Sequence, residues 1–285
     1  MPRLPTRGGT IRFALLRLAL LVFLVAPSAW AQGVGPALTH GPILGAVTDN
    51  SIRIWGRADV AASMDVVVEQ VGVPGTVQAS TALAASSDFT GTVELLGLEP
   101  GSDYGYRVLL DAQQVFEGSF RTLPLQDTPS SFSFAFASDV HANFAPFTTF
   151  DALAATGPDF LILGGDNIYA DSFVVVENTQ AGYEERYRQT WVDPSFRAAL
   201  RAIPTFMIWD DHELFGDWYP GLDTRYSNAR AAFDEYQGSH NPDRLLQVRS
   251  TSASRPARWI SSCSTRAHTA VRTMKSTGHP SPCSA

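Results

Sequence analysis

Residues 132–141 read Phe-Ser-Phe-Ala-Phe-Ala-Ser-Asp-Val-His, an apolar run that ends at a carboxylate and a histidine. Two further apolar runs end in a similar way. Residues 159–163 lead into Gly-Gly-Asp-Asn-Ile-Tyr-Ala-Asp at 164–171, and residues 205–209 lead into Asp-Asp-His-Glu at 210–213. Short runs with almost no polar interruption are typical of strands that are buried on both faces of a parallel sheet.

Helical patterns separate these three predicted strands. They cover residues 146–156 and 182–203, with a break near Asp193-Pro194. Strands that alternate with helices favour a parallel sheet with right-handed crossovers. Ligands of such sheets lie beyond the carboxyl ends of the strands, so we expect the polar residues that follow the three strands to meet at one edge. They are Asp139, His141, Asp166, Asp210, Asp211 and His212.

Each polar cluster is weak evidence when it is taken alone. Asp-x-His arises by chance in many chains, and Gly-Asp-Asn makes an ordinary turn. Asp-Asp-His-Glu could begin a helix, where acidic residues are favoured. Chance explains less well why all three clusters follow consecutive strands. Carboxylates and imidazoles gathered at one sheet edge are what a two-metal hydrolytic site needs.

The segment before these strands has an all-β pattern. Ser51–Trp55 and Tyr104–Val108 alternate with period two, and Gly and Pro separate the runs. Leu98–Tyr104 resembles the tyrosine-corner segment of fibronectin type III-like sandwiches, in which the tyrosine hydroxyl bonds to nearby backbone. We expect a small β-sandwich over 38–124, followed by a linker that contains Pro and Ser.

The charge of the chain is unevenly distributed. The net charge is −7 over 285 residues, of which 45% are apolar. Four basic residues lie in 1–31 and seven follow Asp243, so residues 32–243 hold all 28 acidic residues and ten basic ones, a net of −18. Residues 32–243 therefore repel nucleic acid, and a nucleic-acid-binding surface is excluded unless cations neutralise this charge.

Residues 1–31 have the features of a secretory signal peptide. A basic start leads into the apolar stretch Leu18–Val25, and Ala29–Ala31 fits a small-residue cleavage site. The apolar stretch is short for a membrane span, and an uncleaved anchor is the alternative. We expect a periplasmic or secreted protein without a stable membrane span after cleavage of the signal.

The motifs together resemble those of the PhoD-like alkaline phosphatases of the calcineurin-like metallophosphoesterase superfamily. The matching stretches are Phe134–Asp139, Gly165–Asp171, Tyr187-Arg188 and Ile208–Glu213. The resemblance implies an α/β metallophosphoesterase-type layered sheet domain over 131–246, incomplete and preceded by the fibronectin III-like sandwich. It also implies an exported phosphohydrolase that hydrolyses small phosphomonoesters or phosphodiesters with a metal-activated hydroxide.

Two metal ions, divalent or ferric, are the cofactors that this resemblance implies. Asp166 would bridge them, and Asp139 with His141 would bind the first. Tyr169 matches the phenolate that the family offers to ferric iron, and Asp211 stands where the superfamily has an asparagine ligand of the second metal. Many relatives have a cysteine in place of Asp139. The harder carboxylate leaves Fe, Ca, Mn and Zn open as the metals.

The catalytic roles that the resemblance implies fall in the third cluster. His212 matches the residue that protonates the leaving alkoxide, which suits a side chain that titrates near neutral pH. Glu213 or Asp210 would orient its ring. Asn167, in the second cluster, is either an outer-shell group or a turn-former.

The last part of the chain, residues 247–285, departs from the pattern. Acidic residues vanish, both cysteines (Cys263 and Cys283) lie here, and the Gly-His-x-His signature that closes the superfamily site is absent. We assign neither His268 nor His279 as a ligand. The segment is either translated out of frame or degenerate, or it is a natural basic disordered tail. We therefore expect weak or no phosphatase activity from this chain.

Two other functions stay open at this point. One is a non-catalytic exported binding module with a vestigial enzyme domain, which would bind no metal. The other is a neighbouring metallophosphoesterase, such as a nucleotidase or a purple-acid-type phosphatase, in which the tyrosine of Gly-Asp-Asn-Ile-Tyr would give a visible charge-transfer band.

Overall fold

The computed structural model describes residues 35–172, 177–216 and 223–243, together with the backbone of 272–276. The predicted signal peptide and most of the tail lie outside these residues. Within the described part of the chain, none of the helices combines the length and the apolar character needed to cross a bilayer.

The first seven strands form two antiparallel layers. They are β1 (Leu38–Gly45), β2 (Ser51–Ala58), β3 (Ala62–Gln70), β4 (Val77–Leu83), β5 (Thr90–Leu96), β6 (Asp103–Leu110) and β7 (Gln113–Arg121). One layer has the order β1-β2-β5 and the other the order β4-β3-β6-β7. Alternate residues of the strands point between the layers, and Ile54, Val66 and Val108 are fully buried there. The predicted β-sandwich is confirmed.

Tyr104 forms the predicted tyrosine corner. Its hydroxyl oxygen accepts a hydrogen bond of 2.8 Å from the backbone N–H of Glu99. Its buried ring stacks on Phe120, with 5.4 Å between the ring centroids. The bond fixes the turn that leads into β6.

The second part alternates strands and helices, as predicted. Its elements are β8 (Phe132–Ala137), α1 (Thr149–Ala155), β9 (Phe160–Leu163), α2 (Gln180–Trp191), α3 (Pro194–Ala202), β10 (Thr205–Met207) and α4 (Tyr226–Tyr236). Strands β8, β9 and β10 pair in parallel. The predicted break between the two middle helices arises at Asp193, whose carboxylate accepts the Phe196 N–H at 3.0 Å and caps α3.

The two parts share a single sheet, which the sequence did not predict. Strand β1 of the sandwich pairs in parallel with β10, with Gly45 opposite Thr205. The backbone of 272–276 adds β11 (Arg272–Ser276), antiparallel to β8, so the full order is β11-β8-β9-β10-β1-β2-β5. Arg201 of α3 reinforces the junction, because its Nε donates to the carbonyl of Gly41 in β1 at 2.8 Å.

Only one face of the parallel strands is fully covered within the described residues. Helices α1 to α4 pack on that face, where Ala135, Leu161 and Met207 are buried. The opposite face carries Phe132, Phe136 and Ile208, whose exposed fractions are 39%, 44% and 52%. The prediction of strands buried on both faces is therefore wrong for this part of the sheet, as far as the described residues extend.

Candidate metal centre

The backbone brings the ends of β8 and β9 together. Asp139 and Asp166 follow these strands with left-handed backbone, at φ 62° and 53°. The N–H of Val140 donates to the carbonyl of Asp166 at 2.8 Å, which joins the two strand-end loops. At Gly165 (φ +102°) an added Cβ would lie 2.5 Å from the Cβ of Asp210, so a glycine is required there. Polar residues of all three predicted clusters therefore lie at one edge.

Tyr169 links the first two carboxylates. Its hydroxyl donates to Asp139 Oδ1 at 2.7 Å and lies 3.4 Å from Asp166 Oδ2. Burial raises the pKa of Tyr169 well above its usual range, and the hydrogen bond to Asp139 raises it further. The phenol therefore keeps its proton at neutral pH unless a cation stabilises the phenolate.

Asp166, Asp211 and His212 form a second group of closely spaced donors. Each offers one ligand atom, and these atoms lie within 4.8 Å of one another. The backbone N–H of His212 also donates to Asp166 Oδ1 at 3.2 Å. Within the described residues this is the only such group of three or more metal-binding side chains.

The electrostatics of Asp166 fit a bound cation. The pKa of its carboxyl is raised to about 7: burial is the largest cause, the charge of His212 opposes it, and the charges of Asp211 and Asp210 add to it. Carboxylates that repel one another in a half-buried site are stabilised when a metal ion neutralises them. Carboxylate, phenol and imidazole donors suit Mn, Zn and Fe. The residues present thus fit a metal centre.

His212 is oriented by a carboxylate that the sequence reasoning missed. Its Nδ1 lies 2.8 and 2.9 Å from the two carboxylate oxygens of Asp171. Asp171 also accepts the Gly216 N–H at 2.7 Å, which holds the carboxylate in place. Burial lowers the pKa of His212, but the hydrogen bond to Asp171 and the charge of Asp166 outweigh it, so the net pKa is raised. Asp171 ends the Gly165–Asp171 motif, which was the available signal.

Glu213 does not touch the His212 ring in this way, so its prediction as the orienting residue is wrong. Its fully buried carboxyl accepts the backbone N–H groups of Asp166 (3.1 Å), Asn167 (2.8 Å) and Asp210 (2.9 Å). Its pKa is raised to about 8, because the effect of burial outweighs the opposing effect of the hydrogen bonds from the N–H groups of Asp210 and Asn167. Glu213 therefore links the loop that follows β9 to the loop that follows β10.

Asp210 is not the orienting residue either. Its Oδ1 accepts the N–H of Asp211 at 2.9 Å and begins a short 3-10 turn. Burial raises the pKa of Asp210, as does the charge of Asp211. Its carboxylate therefore adds negative charge beside Asp166 and shapes the turn that carries His212.

His141 lies beside the site, but both of its ring nitrogens are engaged in hydrogen bonds with other residues. Its Nδ1 accepts the Asn143 N–H at 3.1 Å, and its Nε2 lies 2.6 Å from the Ser172 hydroxyl. The rings of His141 and His212 flank Tyr169, each with 4.4 Å between centroids. In this arrangement His141 forms a wall of the site, and its role as a ligand stays a prediction.

Asn167 is fully buried and supports the site from behind. Its Nδ2 donates to Gln237 Oε1 at 2.9 Å and to the Ile208 carbonyl at 3.3 Å. These contacts fit the outer-shell alternative better than a simple turn-former. No sequence signal pointed to Gln237, which lies 70 residues further along the chain.

Comparison with known proteins gives consistent findings. Residues 134–242 match the PhoD-like phosphatase family, and residues 35–127 match a domain of unknown function, DUF7800. Alkaline phosphatase D of Bacillus subtilis (strain 168) is 29% identical over 157 residues, which cover 49% of this chain and 26% of that protein. The chain thus spans about a quarter of the curated relative that it matches.

Among solved structures, one described as the structure of PhoD superposes with a TM-score of 0.63 at 22% identity, covering 72% of this chain and 46% of that one. A purple acid phosphatase from yellow lupin (Lupinus luteus) seeds gives a TM-score of 0.47 at 14% identity, over 70% of this chain and 39% of that one. The match to PhoD shows a shared metallophosphoesterase-type fold. Residues 134–242 of this chain are therefore similar to the PhoD-like phosphatases in sequence and in fold.

Proposed function

We propose that this chain is an exported, metal-dependent phosphohydrolase that acts on small phosphate esters. One observation carries the proposal: Asp139, Asp166, Tyr169, Asp211 and His212 converge at the edge of the parallel sheet. The family of residues 134–242 supports the reaction class. Export rests on the signal-like pattern of residues 1–31.

Four side chains are proposed as metal ligands. They are Asp139, Asp166, Tyr169 and Asp211. Asp166 is near both groups of donors, because its Oδ2 lies 3.4 Å from the Tyr169 hydroxyl and its ligand atom lies within 4.8 Å of that of Asp211. A bound metal supplies neutralisation of the phosphate charge and acidification of water. The strongly acidic surroundings of Asp166 favour cation binding before an anionic substrate enters.

His212 and Asp171 are proposed to move the proton to the leaving group. Asp171 accepts from Nδ1, which leaves Nε2 as the position from which a proton can be donated, and the raised pKa of His212 favours the protonated ring. The same Asp171 contact would also orient an imidazole that binds metal. A His212→Gln variant separates the two roles: loss of metal affinity identifies a ligand, and loss of rate with metal affinity intact identifies the acid.

The activity of this chain is expected to be low. Within the described residues, His212 is needed to complete the only group of three closely spaced donors. His141 presents no unengaged nitrogen to the site. So few ligands among the described residues favour weak metal affinity and therefore a small loaded fraction at low metal concentration.

The test combines metal content with turnover. The purified chain is incubated with Mn²⁺ or Zn²⁺, freed of excess metal and measured for metal per chain and for hydrolysis of p-nitrophenyl phosphate. We expect measurable binding and slow, metal-dependent hydrolysis, both lost in Asp166→Asn. Asp103→Asn is the matched control, because Asp103 lies in an exposed pair with Arg121 in the sandwich. No metal and no hydrolysis in the unaltered chain would favour the non-catalytic binding module.

A further inference from the structure

A single carboxylate of the β-sandwich contacts two helices of the PhoD-like domain. Asp88, in the turn between β4 and β5, accepts two hydrogen bonds from Arg57 of β2, at 3.1 and 3.0 Å. It also accepts hydrogen bonds from Arg188 of α2 and from the hydroxyl of Tyr236 of α4. The side chain of Asp88 is 12% exposed, so these bonds are largely shielded from water. Charge-assisted bonds of this kind are strong and directional.

The contacts continue inward through two stacked tyrosines. The rings of Tyr236 and Tyr187 lie 4.7 Å apart and are inclined by only 15°. Trp55 and Trp191 pack against Tyr236 with centroid distances of 5.4 and 5.7 Å. All four side chains are buried. Since close-packed interiors leave little room, a shift of Tyr236 must displace Tyr187.

Gln237 joins this aromatic cluster to the candidate metal centre. Its Nε2 donates to the Tyr187 hydroxyl at 3.0 Å and lies 3.3 Å from Glu213 Oε1. Its Oε1 accepts from Asn167 Nδ2 at 2.9 Å. Gln237, Glu213 and Asn167 are all fully buried. A buried amide with these partners has little freedom to rotate.

The contacts end at the backbone of Asp166. Glu213 accepts its N–H, together with those of Asn167 and Asp210. Trp191 makes a parallel connection, because its Nε1 donates to the Asn167 carbonyl at 3.3 Å. Asp166 has left-handed backbone and therefore depends on its surroundings to keep that conformation.

We propose that Asp88 and Gln237 are positioning residues through which the β-sandwich holds Asp166 in the conformation that the candidate metal centre requires. The functional meaning of this contact chain rests on the proposed function, in which Asp166 binds metal. The β-sandwich then helps to fix the geometry of the candidate metal centre and is not structurally independent of it.

The test measures hydrogen exchange of individual backbone amides in the full chain without added metal. In Asp88→Asn, the amides of Asp166, Asn167 and Asp210 are expected to exchange at least about fivefold faster, because the bonds to Glu213 open more often. The matched control is Asp103→Asn, which alters an exposed sandwich carboxylate bonded to Arg121 at 2.8 Å and should leave these amides unchanged.

Two further variants separate positioning from general stability. Tyr236→Phe keeps the stacked ring and removes only the bond to Asp88, so it should show a smaller increase and should fold if Asp88→Asn does not. Gln237→Leu should show a similar increase, and adding Asp88→Asn to it should add clearly less than Asp88→Asn does alone, because only the connection through Trp191 is left. Equal acceleration at the amides of β3 and β6, no acceleration at Asp166, or full additivity of the two changes would each overturn the proposal.

Calorimetric titration with Mn²⁺ gives the functional readout. Affinity is expected to fall at least about threefold in Asp88→Asn and to stay unchanged in Asp103→Asn. If the unaltered chain binds neither Mn²⁺ nor Zn²⁺, the proposed function fails, while the exchange experiment still decides the positioning role.

Discussion

Removing the carboxyl of Glu213 should lower the free energy of unfolding markedly, because this one group accepts several hydrogen bonds. Glu213 accepts four donors: the backbone N–H groups of Asp166, Asn167 and Asp210, and the side-chain amide of Gln237. A Glu213→Ala substitution leaves all four without this acceptor. The bonds from Asn167 and Gln237 are buried, whereas those from Asp166 and Asp210 are partly buried and can be replaced by water.

The magnitude follows from the two buried donors. The Asn167 N–H is left without this partner, which costs about 1–3 kcal/mol, whereas Gln237 Nε2 keeps the Tyr187 hydroxyl and loses one bond worth about 0.5–1.5 kcal/mol. Glu213→Ala should therefore lower the free energy of unfolding by roughly 1.5–4.5 kcal/mol. Urea unfolding followed by tryptophan fluorescence at pH 6 measures this. The matched control is Glu185→Ala, whose carboxylate on α2 is about half exposed and should cost at most about 1 kcal/mol. A loss below about 1 kcal/mol for Glu213→Ala would refute the role of Glu213 in linking the two strand-end loops.

The pH dependence gives an independent check on Glu213. Burial raises the pKa of its folded-state carboxyl from 4.5 to about 8. Its stabilising contribution is therefore complete below pH 4.5 and is lost as the pH rises through 8, a loss of about 5 kcal/mol over that window. Glutamine is the neutral isostere of the protonated carboxyl. The stability of Glu213→Gln should thus approach or exceed that of the unaltered chain as the pH rises from 6 to 9, and parallel curves would contradict this.

Three further outcomes are expected. Asp171→Asn should lower the pKa of His212 in an NMR titration and, if His212 is the acid, reduce hydrolysis of p-nitrophenyl phosphate roughly 100- to 10,000-fold. His240 is fully buried, and burial lowers its pKa to about 3 from 6.5, so its contribution to stability is present above pH 6.5 and is lost as the pH falls toward 3. His240→Leu should remove about 1.4 kcal/mol per pH unit from that acid slope, measured by urea unfolding. Tyr104→Phe deletes the bond to Glu99 and should cost about 1 kcal/mol in the same assay, whereas no change would mean that the tyrosine corner contributes nothing.

Much of the fold was predictable because the signals are local. The apolar run that ends at Asp139 is a strand in the structure, and its carboxylate lies at the expected sheet edge. The tyrosine corner at Tyr104 was predictable in the same way, since its donor, Glu99, lies only five residues away. Periodicity and strand-end position identify features of this kind without information about the rest of the chain.

The remaining features depend on residues that are far apart in sequence. Strand β1 joins β10 across 160 positions of chain, at Gly45 and Thr205, and neither strand carries a signal for the pairing. Asp171 meets His212 across 41 positions, and Gln237 meets Asn167 across 70. A motif names the residue types, but the fold decides which carboxylate reaches which ring. For this reason the sequence predicted Glu213 or Asp210, and not Asp171, as the residue that orients the His212 ring.

The strained backbone gives a reason for the site that does not depend on motifs. Asp139 and Asp166 both have φ near +60°, where glycine would avoid a cost of about 1–2 kcal/mol per residue. Asp166 is also held beside Asp210 and Asp211, in a setting that raises its pKa to about 7. At Asp166 the backbone cost and the repulsion both work against stability, so what this residue contributes must be its carboxylate. Strain of this kind is typically concentrated where a protein binds or reacts. Asp166 combines left-handed backbone with a raised carboxyl pKa, so the free energy of the fold points to this residue as the sequence pattern does.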